Sequence, residues 1–321
     1  MSYARAEKLD SDLIPVIDIG PLIDGSDPAG VAARLHSASQ GLGFIYIAGH
    51  GIPEPVIAAA RREAFAFFRA DTAEKEAVRV SQSHRGWIAQ GGAKMQDGAK
   101  ADLKESFVWG WDGAAADAHP LRGDNLWPAF RPGMSGAAMA YLDAAHGVAY
   151  HLMRGFALGL SLPEDFFLQT TDRPLSRASF VYYPAQDAAL GPDQFGVGPH
   201  TDFGVLTVLC QDDVGGLQVL NVDGTWVEAP PIPGSLIVNV ADLLARWTGG
   251  AYTSTPHRVV NSSGRERMSL VLAYDPNPET LIDPRQVLGA GYDGKEPPIT
   301  CGDYLLARFE RAFRYRQRAG R

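Results

Sequence analysis

An α+β fold, mainly β, is predicted by a change of texture from Ser179 onward and by the turns that follow it. Before that point apolar residues recur at steps of three and four, the period of helices that bury one face. After it come short β-rich runs at residues 179–183, 204–210, 217–220, 225–227, 235–240, 257–260 and 268–274. Gly215-Gly216, Asp223-Gly224 and Pro233-Gly234 punctuate these runs. Many short strands at near-regular spacing predict a double-sheet jelly roll or a barrel.

The elements follow in order. Residues 13–19 are apolar and β-branched, and Pro15 makes them an edge strand or one with an irregular start. Asp27 before Pro28 reads as an N-cap and first helical position, with Val31, Leu35, Ala38 and Leu42 on the inward face. Residues 43–49 are strand-like and run into a turn, where His50 is expected to bond backbone rather than metal. Ile57, Ala60, Ala64 and Phe68 mark a second amphipathic helix.

Residues 83–133 hold many glycines and four tryptophans, the texture of a functional loop region, with Asp102-Leu-Lys-Glu-Ser-Phe107 bordering a pocket. Ala138, Leu142, Ala145, Ala149, Leu152, Phe156 and Leu160 predict the longest helix, over about 134–160. A last helix buries Leu306, Phe309 and Phe313. The organisation expected is an N-terminal region (1–120), a bridging helix region (121–174), a catalytic core (175–285) and a C-terminal helix (286–321), all in one compact unit.

With 45% hydrophobic and 21% charged residues over 321 positions, the composition is that of a globular chain. The net charge of −8 and the absence of a Lys/Arg block exclude a phosphate-backbone footprint, so no nucleic-acid partner is expected. No apolar leader and no run of about 18 apolar residues occurs, and a cytoplasmic protein with no membrane partner is expected. Cys210 and Cys301 lack CxxC spacing, which excludes a cysteine-based zinc site.

The chemistry concentrates in three places: His200-Thr-Asp202, His257 and Arg267-Met-Ser269. Residues two apart on a strand share a side, so His200 and Asp202 can reach one ion, with His257 as the candidate third ligand. Two imidazoles and a carboxylate on one side of a metal leave positions open opposite, the facial arrangement of non-haem Fe(II) sites. If a three-residue hairpin loop pairs Asn261 with Arg265, then Val259 faces Arg267 and His257 faces Ser269, placing Arg267 and Ser269 on the side of His257. A guanidinium fork and a hydroxyl beside an open metal position can hold a carboxylate whose other end reaches the metal, and Tyr183 can add a hydrogen bond. Trp87, Phe107, Trp109 and Phe203 are assigned to an aromatic wall for a small, partly apolar molecule.

Along nearly its whole length the chain resembles the isopenicillin N synthase-like branch of the Fe(II)/2-oxoglutarate-dependent dioxygenases. The resemblance rests on residues 14–20, 43–53, 102–107 and 125–128, on His200-Thr-Asp202, on residues 211–217, 230–234 and 254–259, and on Arg267-Met-Ser269. It implies a double-stranded β-helix (jelly-roll) core flanked by helices, with an N-terminal α/β region packed on it. It also implies Fe(II) on His200, Asp202 and His257, with the distal carboxylate of 2-oxoglutarate on Arg267, Ser269 and Tyr183. Oxidation by O2 would release succinate and CO2 while a small molecule is hydroxylated, desaturated or cyclised.

The chain departs from the family at Val181, where relatives often have Asn, so a polar contact to the metal-binding end of the co-substrate is expected to be missing or replaced. It departs again at Ala241, where glycine is usual and only packing is expected to change. Two other readings are an iron oxidase of this fold that does not use 2-oxoglutarate and a non-enzymatic jelly-roll binding protein.

Overall fold

The computed structural model describes residues 13–93, 101–112, 119–186, 194–294 and 296–317. Its first part comprises β1 (Val16–Asp18), α1 (Gly20–Ile23), α2 (Pro28–Gln40), β2 (Phe44–Ala48), α3 (Glu54–Phe68), α4 (Thr72–Glu76), β3 (Gly86–Ile88), β4 (Glu105–Gly110) and α5 (Met134–Gly159). Then follow β5 (Arg177–Tyr183), β6 (Val197–His200), β7 (Leu206–Gln211), β8 (Leu217–Leu220), β9 (Trp226–Glu228), β10 (Leu236–Val240), α6 (Asp242–Trp247), β11 (His257–Val259) and β12 (Arg267–Tyr274). The chain closes with β13 (Leu281–Ile282), α7 (Arg285–Leu288), β14 (Ile299–Thr300), α8 (Cys301–Ala312) and α9 (Arg314–Gln317).

Local chemistry accounts for the long helices. Asp27 accepts the Gly30 amide at 2.9 Å, and Pro28 supplies a first helical residue whose missing N–H is not needed there. Leu42 falls beyond the end of α2, which stops at Gln40. The predicted stripe of α5 is buried from Ala138 to Phe156 and packs on α2 and α3. Among the described residues no helix is long and apolar enough to cross a membrane.

Eight strands form one sheet in the order β1-β2-β10-β7-β12-β5-β4-β3, and four form a second, β6-β11-β8-β9. The facing sheets make a jelly roll rather than a closed barrel. Two-residue alternation assigns the faces of the large sheet. Met268, Leu270, Leu272 and Tyr274 of β12, with Ala178 and Phe180 of β5, join the core under the helices. Arg267, Ser269, Val271 and Ala273, with Arg177, Ser179, Val181 and Tyr183, line a cavity on the other face. The large sheet's polar cavity residues therefore lie on the face turned toward the small sheet.

Three expectations need correcting. The stretch read as an irregular loop supplies β3 and β4, which extend the large sheet: Glu105 pairs with Tyr182 and, at the far end, Gly110 with Arg177. Tertiary pairing overrides the turn-forming glycines here, and Glu105 anchors the pair by accepting the Trp87 indole N–H at 2.7 Å and the Lys75 ammonium at 2.8 Å. Phe107 and Trp109 stand opposite Phe180 and Ala178, on the helix side, and Trp87 stands opposite Phe107. These three aromatics fill the core and do not line the cavity.

The second correction concerns the hairpin. Strand β11 pairs with β6 and β8, whereas β12 pairs with β5 and β7, so the two share no ladder. The intervening turn crosses between sheets, held by the Asn261 side-chain amide on the carbonyls of Arg265 (2.8 Å) and Pro184 (3.3 Å). His257, Arg267 and Ser269 meet because their sheets face each other. Thirdly, α8 buries Leu305, Phe309 and Ala312, while Leu306 is only half-buried and Phe313, buried as expected, lies just past the helix end.

The indole N–H of the fully buried Trp109 donates to the Ala138 carbonyl of α5 at 3.1 Å. Trp109→Phe should lower unfolding stability by about 1–3 kcal/mol, read from the urea midpoint, by removing that bond and opening a small void. An unchanged midpoint would show that this sheet-to-helix tie contributes nothing.

Candidate metal centre and active-site cavity

His200 ends β6 and His257 begins β11, and these residues are cross-strand partners, which brings their rings to a centroid separation of 4.2 Å. Asp202 is not on a strand. It lies in the link from β6 to β7, so the two-residue spacing reaches the right result through a bend rather than through pleat.

Each side chain is oriented by its second polar atom. His200 Nδ1 faces the Gly198 carbonyl at 2.8 Å and His257 Nδ1 the Thr255 carbonyl at 3.2 Å. A carbonyl only accepts, so both Nδ1 atoms carry the proton and both Nε2 lone pairs stay available. Asp202 Oδ2 accepts from the Thr207 hydroxyl at 2.6 Å and from the Asn239 amide at 2.8 Å. Its Oδ1 lies 3.7 Å from His200 Nε2 and 3.8 Å from His257 Nε2. The three donor atoms fall within 4.8 Å of one another, a grouping able to hold a metal ion.

The electrostatics agree with that use. Burial, then the neighbouring His257 ring, holds His200 well below the usual histidine range, which favours the neutral imidazole a metal requires. Burial alone would raise Asp202, but the two rings and the Asn239 and Thr207 hydrogen bonds outweigh it and keep the carboxylate ionised. The donor set therefore fits the two-histidine, one-carboxylate arrangement of Fe(II).

A cavity of about 190 Å³ opens beside these donors. At one end Arg267, with no solvent exposure, donates to the Gly215 carbonyl at 2.6 Å, to Ser269 Oγ at 2.8 Å and to Gln211 Oε1 at 3.4 Å. The Gly215 carbonyl is presented by a turn in which Gly215 and Gly216 take φ of +79° and +87°, and a Cβ on Gly216 would lie 2.3 Å from the Val260 carbonyl oxygen. The Tyr183 ring lies 4.7 Å below the guanidinium, and burial raises its phenol above the usual range. Among the described residues no carboxylate pairs with Arg267. An uncompensated buried ion costs several kcal/mol, a cost that an anion bound beside Arg267 would offset.

Phe203 lines the cavity, alone among the four aromatics assigned to its wall, and Phe309 and Phe313 join it. Val181 also lines it, buried between Ser106 and Ser269 on the adjacent strands. Ala241 is buried directly before α6. Sequence reasoning did not single out Thr207, Asn239, Gln211 or Lys104. Asn239, a lone amide in the apolar stretch of β10, is the one with a readable signal.

Facing sheets, a His-Asp-His cluster and a buried guanidinium in the same cavity define a class of iron-dependent oxygenases that use a keto-acid co-substrate. Known proteins agree. The 2OG-Fe(II) oxygenase superfamily pattern matches residues 175–276, and the N-terminal pattern named for a non-haem dioxygenase in morphine synthesis matches residues 14–130. A homoarginine-6-hydroxylase from Glycine max is 32% identical, covering 86% of this chain and 89% of its own. The 2-oxoglutarate-Fe(II) type oxidoreductase hxnY of Emericella nidulans is 31% identical over 93% of this chain and 90% of its own. A full-length Neurospora crassa protein, solved in complex with alpha-KG and thymine, superposes with a TM-score of 0.84 at 26% identity, covering 96% and 99% of the two chains.

The chain belongs to the 2OG-Fe(II) oxygenase superfamily. It is an Fe(II)/2-oxoglutarate-dependent dioxygenase using O2, not a binding module of the same fold.

Asn239→Leu should weaken binding of Fe(II), or of redox-inert Mn(II), by about 10–100-fold in calorimetry while the far-UV spectrum stays unchanged, because Asp202 loses an orienting partner. Unaltered affinity would show that Thr207 alone positions the carboxylate.

Proposed function

We propose that His200, Asp202 and His257 hold the iron, and that Arg267, Ser269 and Tyr183 hold the distal carboxylate of 2-oxoglutarate. One observation carries this reading: three donor atoms converge with their second polar atoms already engaged, beside a buried arginine that has no carboxylate partner among the described residues. Iron and 2-oxoglutarate bound there supply O2-dependent oxidation coupled to release of succinate and CO2. The residues do the rest. Thr207 and Asn239 fix Asp202 so that one oxygen faces the metal. Arg267 and Ser269 fix the distance from that metal to the far end of the co-substrate.

The substrate is a small, partly apolar organic molecule, held near the metal by Phe203, Phe309 and Phe313 and hydroxylated, desaturated or cyclised there. The thymine and homoarginine in the names of the relatives support a small-molecule substrate without specifying which. The segments 1–120, 121–174, 175–285 and 286–321 are read as parts of one unit, supported by the first segment's four strands joining the sheet that carries Arg267. Cys210 and Cys301, both free and buried, support a reducing, cytoplasmic setting.

Anaerobic titration of the Fe(II) protein with 2-oxoglutarate should produce a saturable visible charge-transfer band. His257→Ala should abolish both the band and succinate formation while the protein stays folded, and retained turnover would remove His257 from the ligand set. Arg267→Met should leave the protein at least as stable without co-substrate, since an uncompensated buried charge is gone, but abolish its thermal stabilisation by 2-oxoglutarate. A variant still stabilised by 2-oxoglutarate would place the carboxylate elsewhere.

A further inference from the structure

We infer, resting on the iron and 2-oxoglutarate reading above, that the primary substrate is a small carboxylic acid and that Lys104 holds its carboxylate. Lys104 directly precedes β4 and shares the parity of Ser106 and Val108, the residues that turn from the helices toward the cavity side. It lines both the cavity beside the metal donors and an adjoining chamber of about 110 Å³ formed with Ile88, Ala93, Val108 and Phe313. That chamber touches neither a metal donor nor Arg267, so Lys104 stands where a bound molecule extends away from the co-substrate.

The other cations of the cavity are committed. Arg177 donates to the fully buried Asp275 at 2.7 Å and lies 4.6 Å over the Phe309 ring. Arg267 is engaged by Gly215, Ser269 and Gln211. Among the described residues, the Lys104 ammonium has neither a hydrogen bond nor an ion pair. Asp102, two residues earlier, lines the same chamber and directs one oxygen to the Gly198 amide at 3.0 Å, while its other oxygen, buried, makes no hydrogen bond to Lys104 or to any other described residue; Asp202 is held by Thr207 and Asn239. Burial lowers the Lys104 pKa, while the charges of Asp102 and Asp202 oppose that. An anionic ligand supplies the missing partner, and Phe203, Phe309 and Phe313 receive its apolar body.

The test uses the anaerobic Fe(II)–2-oxoglutarate holoenzyme and a set of aromatic and alicyclic carboxylic acids, each with its primary amide. Perturbation of the visible band reads binding. Acids should bind at least about tenfold more tightly than their amides, and Lys104→Met should erase that preference, as expected for a charged hydrogen bond. Lys104→Arg should retain it, and affinity for 2-oxoglutarate should be the same in all three proteins. The proposal is overturned if amides match acids, if no acid perturbs the band, or if Lys104→Met leaves acid binding intact. It is also overturned if Lys104→Met weakens 2-oxoglutarate itself, since the charge would then serve the co-substrate. A wild-type protein that forms no band overturns the iron and 2-oxoglutarate reading, and this proposal with it.

Discussion

A guanidinium with no counter-ion among the described residues lies between two β-sheets. Water is excluded from Arg267, and a carbonyl, a hydroxyl and an amide oxygen meet its hydrogens without neutralising its charge. Burying such a charge is costly, and a bound anion would offset that cost. The large sheet holds it there: Met268 and Leu270 on either side of Ser269 are locked into the helix-packed core, so Arg267 and Ser269 must point the other way. The placement of Arg267 and Ser269 is thus a consequence of strand parity in a sheet buried on both faces.

The metal donors depend on the opposite sheet, and their separation from Arg267 depends on how the two sheets stack. Inter-sheet contacts include Val181 and Tyr183 from one side with Val197, Leu217 and Val259 from the other. This small apolar layer sets the depth of the cavity. Asp202 couples the layers: it sits in the link between β6 and β7 but takes its hydrogen bonds from Thr207 on β7 and Asn239 on β10, both in the large sheet.

Much of this was legible in the sequence because it depends on local signals. The Asp27-Pro28 cap, the α5 stripe and the run of short strands follow from capping and period alone. The spacing of His200 and Asp202, with His257 and the Arg267-Met-Ser269 pair, marked the residues that the fold brings together. Hidden parts were those decided by which strand pairs with which. Phe107 and Trp109 look like pocket aromatics until pairing with Phe180 and Ala178 turns them toward the helices, Phe107 against Phe67 of α3 and Trp109 against Ala138 of α5. The hairpin register reached the right face by a ladder that does not form, because residues 257–274 span two sheets. Lys104 lay inside a stretch expected to border a pocket, yet only the parity of β4 shows which of its side chains does so.

The proposed site requires one ligand to bridge the two sheets, chelating a metal on the small one and meeting Arg267 on the large one. Crystals prepared anaerobically with Fe(II) and 2-oxoglutarate, with anomalous data collected at the iron edge, test it directly. An iron peak bounded by His200 Nε2, Asp202 Oδ1 and His257 Nε2 is expected, with continuous ligand density ending in a carboxylate on Arg267 and Ser269. An iron peak away from those three atoms, or a co-substrate whose far carboxylate avoids Arg267, would contradict it.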